Sequence, residues 1–171
     1  MNVRDAIAAR RSIRAYKEQP IEDDKLRRVL EAGRLAPSAR NMQEWKFVVV
    51  RDKSVIQKMV DVCRGQKFVG EAGAVVVACA VKHDLVMSCG QYAYPIDIAI
   101  AVDHMSLAAV EEDLGSCWIG AFYEDKAKEL LGIPDDVRAA IILTLGYPAE
   151  SPGPKPRNPF EEVFCFDKYQ A

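Results

Sequence analysis

The chain has 171 residues, of which 50% are hydrophobic and 28% charged, a composition typical of one folded domain rather than a disordered or fibrous protein. Its formal net charge of -2 argues against a protein that coats nucleic acid, which would be basic overall. We therefore expect a single domain over residues 1–171, with a core over about residues 3–148 and a C-terminal arm over about residues 149–171.

The predicted elements begin with a helix that is capped by Asn2 and ends near Arg10. A second helix begins at Asp23 or Asp24, because Leu26 and Val29 start a helical spacing that stops before residue 37. The pattern then predicts a strand over 46–51, a helix over 54–63 and a strand over 74–82.

The most apolar predicted helix covers residues 96–114, and Gly115 lies just past its expected C-cap. It contains Asp97 but is apolar on most faces, so it belongs in a core or a subunit interface. A strand over 117–122, a helix over 124–131 and a strand over 139–147 follow. Repeated prolines over residues 148–159 then predict an extended arm rather than a helix. This order of elements predicts an α+β fold with α/β-type layers, in which helices flank a central mixed β-sheet.

The N-terminal residues contain no long apolar segment, and the longest purely apolar run, residues 74–81, is much too short to cross a bilayer. We therefore expect a cytoplasmic protein with neither membrane nor nucleic-acid partners. The five cysteines are widely spaced and form no C-x-x-C pair, so reduced and mostly buried thiols are expected.

Several sequence motifs of nucleotide, metal and hydrolase sites are absent. No G-x-G-x-x-G follows a strand, and no P-loop, H-E-x-x-H or G-x-S-x-G motif occurs. His104 lies in an apolar helix and is interpreted as a core or interface residue. A cluster of Cys79, His83 and Cys89 fits no familiar zinc spacing, so no metal site is predicted.

Two basic segments are candidates for binding a phosphate. Residues 10–14 place three guanidiniums and a hydroxyl at a helix-to-loop junction, and arginine presents a rigid fork of donors to phosphate oxygens. Lys155 and Arg157 lie between prolines that stiffen the arm. Taken singly, the first segment is equally typical of a solvated turn that complements a helix dipole, and the second of a solvated tail.

Two other segments suit an organic ligand, the first a polyol or a ring edge and the second a flat group. The loop over residues 37–45 offers the amides of Asn41 and Gln43, each a paired donor and acceptor. Residues 115–122 include Gly120, whose missing side chain allows close approach to its backbone N–H. A packed strand entry is the alternative interpretation of the second segment.

Together these segments resemble the FMN-dependent nitroreductase family, in the family's order and roughly its spacing, over about residues 3–163. The combination is specific. The matching pieces are residues 10–14; Ala36-Pro37-Ser38 with Asn41, Gln43 and Trp45; residues 114–120; and residues 145–148 with 155–157.

The resemblance implies the nitroreductase-like fold and a homodimer, with the C-terminal arm extending onto the partner subunit and FMN bound at the interface. It implies that the phosphate and ribityl chain are held by Arg10, Arg11, Ser12, Arg14, Lys155 and Arg157. It implies contacts to the flavin of the other subunit from Pro37, Ser38, Asn41 and Gln43. It also implies that the ring lies against Trp118, Ile119 and Gly120, with looser contacts from Gln66 and from Lys67 near N1.

The resemblance further implies an NAD(P)H-dependent flavin oxidoreductase that reduces nitroaromatics, quinones or similar small conjugated acceptors by a ping-pong mechanism. NADH or NADPH would be the exchangeable donor, and no catalytic side chain is predicted because no dedicated acid or base is needed. The alternatives are a non-catalytic flavin-binding or sensor protein, and a specialised relative of the dehalogenase or flavin-fragmenting type. Glu44 departs from the family pattern, since many relatives have proline there.

Overall fold

The computed structural model describes residues 1–170. The first helix, α1 (Val3–Ala9), is capped by Asn2, whose side chain accepts a hydrogen bond from the N–H of Asp5 at 3.0 Å. Two 3₁₀ turns, Ala39–Asn41 and Lys67–Glu71, interrupt the loops. The remaining elements are α2 (Asp23–Arg34), β1 (Trp45–Val50), α3 (Lys53–Val62), β2 (Ala74–Ala80), α4 (Ala93–Glu111), β3 (Gly115–Ile119), α5 (Glu124–Leu131), β4 (Arg138–Gly146) and α6 (Phe160–Val163).

One four-stranded sheet in the order β1–β2–β4–β3 forms the centre of the fold, and each adjacent pair is antiparallel. All of β2 is buried, as its unbroken apolar sequence predicts. The predicted α+β class is confirmed. The strands of the observed sheet are all antiparallel, whereas a mixed sheet was expected. The only parallel pairing within residues 1–170 is an isolated bridge of Ser12 with Ser116 on the free edge of β3.

The core has two layers, one on each face of the sheet. On one face α3 and α5 pack through Ile56 and Ala127, both fully buried. On the other face α2 and α4 pack through Val29 and Met105, also fully buried. The two helices approach so closely that a Cβ on Gly33 would lie 2.1 Å from Cε of Met105. Helix packing thus holds the sheet rigidly between two apolar layers.

Helix α4 begins and ends earlier than the sequence predicted. It includes Pro95, which the pattern assigned to an irregular segment, because the first turn needs no N–H donor at that position. It ends at Glu111, and the left-handed residue beyond it is Asp113, with φ 60°. The prediction that Gly115 follows the C-cap was wrong, since Gly115 opens β3. That strand consequently lies earlier than the predicted residues 117–122.

By length and composition alone, α4 is the one helix in the described chain that would suffice to cross a membrane. Buried core helices meet the same criterion. Here Ile98, Val102 and Met105 are buried in the layer between α4 and the sheet. The packing of α4 is therefore that of a core helix.

The C-terminal arm leaves the body of the protein, and residues 153–170 are all exposed. It is extended as predicted except for the single turn α6, where the rings of Phe160 and Phe164 stack with centroids 4.5 Å apart. Phe166 and Tyr169 are 73% and 89% exposed. The arm therefore carries aromatic surface that the described residues of this chain do not cover.

Candidate functional site

Basic side chains from the two ends of the chain line one cleft of about 440 Å³, which we call the basic cleft. Residues 10–14 form one wall, and residues 152–157 of the arm form the other. The structure therefore brings together the two basic segments that the sequence suggested as phosphate ligands. Within residues 1–170 no salt bridge involves the cations of the cleft, which are Arg10, Arg11, Arg14, Lys155 and Arg157.

Arg11 serves both the helix and the cleft. Its Nη1 donates to the carbonyl oxygens of Ala8 at 2.7 Å and Arg10 at 2.8 Å, so the guanidinium caps the end of α1. This is the dipole-complementing role that the sequence left open for part of the cluster. Its Nε is buried and has no hydrogen-bond partner in the described chain. A buried donor in a folded protein ordinarily has a hydrogen-bond acceptor.

Two carboxylates that the sequence analysis did not identify hold the backbone of the basic segment. Glu150 accepts a hydrogen bond from the N–H of Arg14, and Glu71 accepts one from the N–H of Tyr16 at 3.1 Å. They order the segment through its backbone, so the guanidinium groups remain without carboxylate partners. Glu150 and Glu71 lie 136 and 55 residues from their partners, and no local pattern marks them.

Strand β3 joins the basic cleft to a second group of predicted residues. The N–H of Ile13 donates to the carbonyl of Ser116 at 2.9 Å, which fixes the basic segment against the start of the strand. Gly120 follows the other end of β3, about 13 Å further along at the usual strand rise. Gln66 reaches the same place, since its Nε2 donates to the carbonyl of Ala121 at 3.2 Å. We call this place the Gly120 end.

The residues at the Gly120 end offer backbone rather than side chains. Gly120 is exposed, its φ is not positive, and a Cβ there would meet only Cδ1 of Ile141 at 3.8 Å. Neither packing nor backbone conformation within residues 1–170 therefore requires a glycine. The side chain of Ile119 is buried, and that of Trp118 packs against the α2–α4 layer. Of the contacts to a ring predicted for these two residues, only those from their backbone groups therefore remain. Lys67 is exposed and makes no side-chain hydrogen bond in the described chain.

The amide loop, residues 37–43, lies far from the basic cleft of its own chain. The N–H of Ala39 donates to the Asp97 carboxylate at 3.0 Å near the start of α4, whereas Val110 near the end of α4 borders a cavity that Arg11 also lines. These two positions on α4 are about 20 Å apart at the helical rise. The structure therefore does not bring to the cleft the predicted residues Pro37, Ser38, Asn41 and Gln43.

The amide loop has an unusual backbone. Arg40, Asn41 and Gln43 have φ values of 51°, 54° and 52°, in the left-handed region that is unfavourable for residues with side chains. Ser38 Oγ accepts the N–H of Gln43 at 3.0 Å, and Asp97 anchors the loop from α4. Strain of this kind clusters at binding sites, where surrounding contacts maintain it. A carboxylate near the start of an apolar helix was the sequence signal for Asp97, but nothing in the pattern pointed to its partner.

The cysteines and histidines form no reactive centre in the part of the chain that the structure describes. No three His, Cys, Asp or Glu side chains there come together as metal ligands. Burial raises the pKa of Cys63 to about 12 and that of Cys79 to about 11, so both thiols stay protonated at neutral pH. Cys117 is also buried, whereas Cys89 and Cys165 are exposed.

Glu44, the residue that departs from the family pattern, lies at the entry to β1. Its side chain is 16% exposed, and its carboxylate is 3.4 Å from Nζ of Lys82. This ion pair gives the carboxylate a partner in its own chain.

Comparison with known proteins identifies relatives over nearly the whole chain. The model of the Nitroreductase family matches residues 7–147. A protein of Archaeoglobus fulgidus with the provisional name NADH dehydrogenase/NAD(P)H nitroreductase is 36% identical over 151 residues, which cover 84% of each chain. The NADH dehydrogenase of Thermus thermophilus is 29% identical over 95% of each chain. The solved structure of the NADPH:FMN oxidoreductase from Vibrio harveyi in complex with NAD⁺ superposes with a TM-score of 0.89 at 27% identity, over 100% of this chain and 79% of the other.

Proposed function

Because this chain belongs to the nitroreductase family and is an NAD(P)H-dependent oxidoreductase, we propose that it binds FMN and reduces nitroaromatics, quinones or similar small conjugated acceptors by a ping-pong mechanism. One observation carries the proposal. The basic cleft, the free edge of β3 and the Gly120 end follow one another along a single strand. They offer in sequence an anion site, backbone hydrogen-bonding groups and an open surface for a ring.

The chemistry of the residues suits FMN. Two basic segments without carboxylate partners match a phosphate dianion, and the buried Nε of Arg11 adds a donor that lacks an acceptor. Gly120 matches a planar group lying against backbone, because nothing in the described chain requires glycine at that position. Bound FMN would supply the redox chemistry, which is hydride uptake from a nicotinamide and electron transfer to an acceptor that takes the same space.

The chain supplies binding, orientation and charge. Arg10, Arg14 and the two cations of the arm hold the phosphate, and Ser12 adds a hydroxyl donor. The N–H of Gly120 would donate toward the ring and fix its position along β3. Lys67 follows Gln66 directly, and its ammonium group would supply a positive charge that stabilises the negative charge of a reduced ring.

We assign the amide loop to the flavin of a second subunit, so that the functional unit is a homodimer. The distance of about 20 Å along α4 supports this assignment, since the loop does not reach the cleft of its own chain. The exposed aromatic side chains of the C-terminal arm, including Phe166 and Tyr169, support it as well. A second copy would cover that surface.

The absorbance spectrum of the purified protein, followed by anaerobic titration with NADH and with NADPH, tests the proposal. We expect a yellow protein that a donor bleaches and that a quinone or nitroaromatic reoxidises. A protein that binds no FMN would overturn the cofactor assignment. A yellow protein that neither donor reduces would instead indicate the sensor or storage role. A protein that is reduced but passes electrons to neither class of acceptor would indicate the specialised relative.

A further inference from the structure

Two cations without carboxylate partners flank an exposed tyrosine beside the Gly120 end. The guanidinium carbon of Arg64 lies 4.8 Å from the centroid of the Tyr123 ring, and Nζ of Lys126 lies 5.0 Å from it. Within residues 1–170 neither side chain forms a salt bridge. Tyr123 is 44% exposed, and its ring holds both cations by cation–π contact. This ordering reduces the entropy that the two side chains would lose on binding an anion.

The backbone places this pair at the Gly120 end rather than at the basic cleft. The N–H of Tyr123 donates to the carbonyl of Val62 at 2.9 Å, which joins the loop after β3 to the end of α3. The bond from Gln66 to the carbonyl of Ala121 joins the same two segments. Arg64 therefore lies two residues from one proposed ring contact, and Tyr123 lies three residues from Gly120.

No neighbouring carboxylate in the described chain forms a salt bridge with Arg64 or Lys126. Glu124 follows Tyr123 directly, but its carboxylate accepts hydrogen bonds from Nε of Arg138 at 2.9 Å and from the N–H of Ala139 at 3.0 Å. Asp61 and Asp125 form no ion pair in the described chain.

We propose that Arg64 and Lys126, ordered by Tyr123, bind the ribose 2′-phosphate of NADPH and make NADPH the preferred donor. This inference rests on the proposed function, since it concerns the donor that approaches the Gly120 end. The two donors differ only at that position, where NADPH has a phosphate monoester close to a dianion at neutral pH and NADH has a neutral hydroxyl. Arginine pairs two phosphate oxygens through its fork and lysine adds a point charge, whereas a hydroxyl leaves both cations without an anion.

Steady-state kinetics of the flavin-loaded protein test the assignment. We expect the double variant Arg64→Gln/Lys126→Gln to lose at least about tenfold in kcat/KM for NADPH, mainly through KM, with NADH unaffected. Lys58→Gln, at an exposed lysine on α3 that forms no salt bridge in the described chain, is the matched control and should alter neither donor. An equal loss for both donors, or no loss for NADPH, would overturn the assignment.

Binding of adenosine 2′,5′-bisphosphate, measured by calorimetry, tests the site without turnover. We expect it to bind the unmodified protein more tightly than adenosine 5′-phosphate, and the double variant to lose that difference. If the bisphosphate binds but neither donor reduces the protein, the 2′-phosphate site is supported and the proposed function is overturned. If both donors reduce the protein but the bisphosphate does not bind, the proposed function is supported and the 2′-phosphate site is overturned. If the double variant loses only the reduction of carboxylated acceptors, the pair belongs to the acceptor and the assignment to NADPH is wrong.

Discussion

Ser12 pairs with Ser116 in a parallel bridge on the free edge of β3, and the neighbouring N–H of Ile13 donates to the Ser116 carbonyl at 2.9 Å. This contact ties the basic segment after α1 to the strand that leads to Gly120. The approach is close, since a Cβ on Gly115 would lie 2.6 Å from Cγ1 of Ile13. The two ends of the proposed flavin site are therefore held at a fixed separation by one strand.

The first prediction concerns the phosphate. Arg10→Ala and Arg157→Ala should each weaken FMN binding by roughly tenfold to a hundredfold, because each removes a charge-assisted contact from the basic cleft. Fluorescence titration of the apoprotein with FMN measures this. Arg28→Ala is the control, since that guanidinium pairs with Glu112 at 2.6 Å away from the cleft. Equal FMN affinity in all three variants would show that the basic cleft does not bind the FMN phosphate.

The second prediction concerns the C-terminal arm. Truncation before Pro152 removes both cations of the arm together with its aromatic residues, so the protein should lose FMN affinity and dimer stability together. Sedimentation and flavin content measure the two losses. The variant Phe166→Ser/Tyr169→Ser keeps the cations and should weaken only the dimer directly. A truncated protein that stays a yellow dimer would contradict an arm that wraps its partner.

The third prediction concerns the anchor of the amide loop. Asp97→Ala removes the acceptor of the Ala39 N–H and frees a loop with three left-handed residues, so FMN affinity should fall and the flavin absorbance maximum should shift. Asp97→Asn keeps an oxygen acceptor and should restore most of both properties. If the alanine variant lowers only thermal stability and leaves the flavin spectrum unchanged, Asp97 has no positioning role.

The fourth prediction concerns pH. Burial opposes ionisation of Glu124, but hydrogen bonds from Arg138 and from the N–H of Ala139 outweigh it and hold the pKa of this carboxyl below its usual value. A carboxyl whose pKa is lower in the folded state stabilises the fold above its unfolded pKa, and this stabilisation is lost as pH falls through the folded value. Glu124→Gln should lower the free energy of unfolding by about 1 kcal/mol at neutral pH.

Urea unfolding of both proteins at neutral pH and in acid measures that difference. It should shrink once the pH falls below about 4, the range in which an unperturbed glutamate protonates, and approach zero below the folded pKa. A difference that stays constant over this range would show that Glu124 acts through packing rather than charge.

The fold class and the family could be predicted from the sequence because both depend on patterns that recur along the chain, such as the apolar run of β2. Both predictions are confirmed. The roles of Glu150 and Asp97 could not be predicted, because each accepts one backbone N–H from a residue 136 or 58 positions away. Gly115 was misassigned because a glycine after an apolar helix is typical of a C-cap, whereas packing against Ile13 places it in β3. Local patterns carry no record of such distant contacts.

The last prediction concerns Gly120. A valine there adds a β-branched side chain on the surface where the flavin ring is proposed to lie. The protein itself tolerates it, since the nearest atom to the new Cβ is Cδ1 of Ile141 at 3.8 Å and the φ of Gly120 is not positive. Gly120→Val should therefore fold with nearly unchanged thermal stability. It should bind FMN loosely or be reduced slowly by the donor, with the basic cleft intact.

Flavin titration and stopped-flow reduction of the folded Gly120→Val protein measure both effects, and Gly115→Val provides the contrast. At Gly115 a Cβ would lie 2.6 Å from Cγ1 of Ile13, so Gly115→Val should have a lower thermal stability than the unmodified protein, whether or not flavin is bound. The alternative is that Gly120 only allows a bend after β3. In that case Gly120→Val would lower thermal stability, while the folded fraction would keep normal FMN affinity and normal reduction. That result would show that Gly120 is not part of the flavin site.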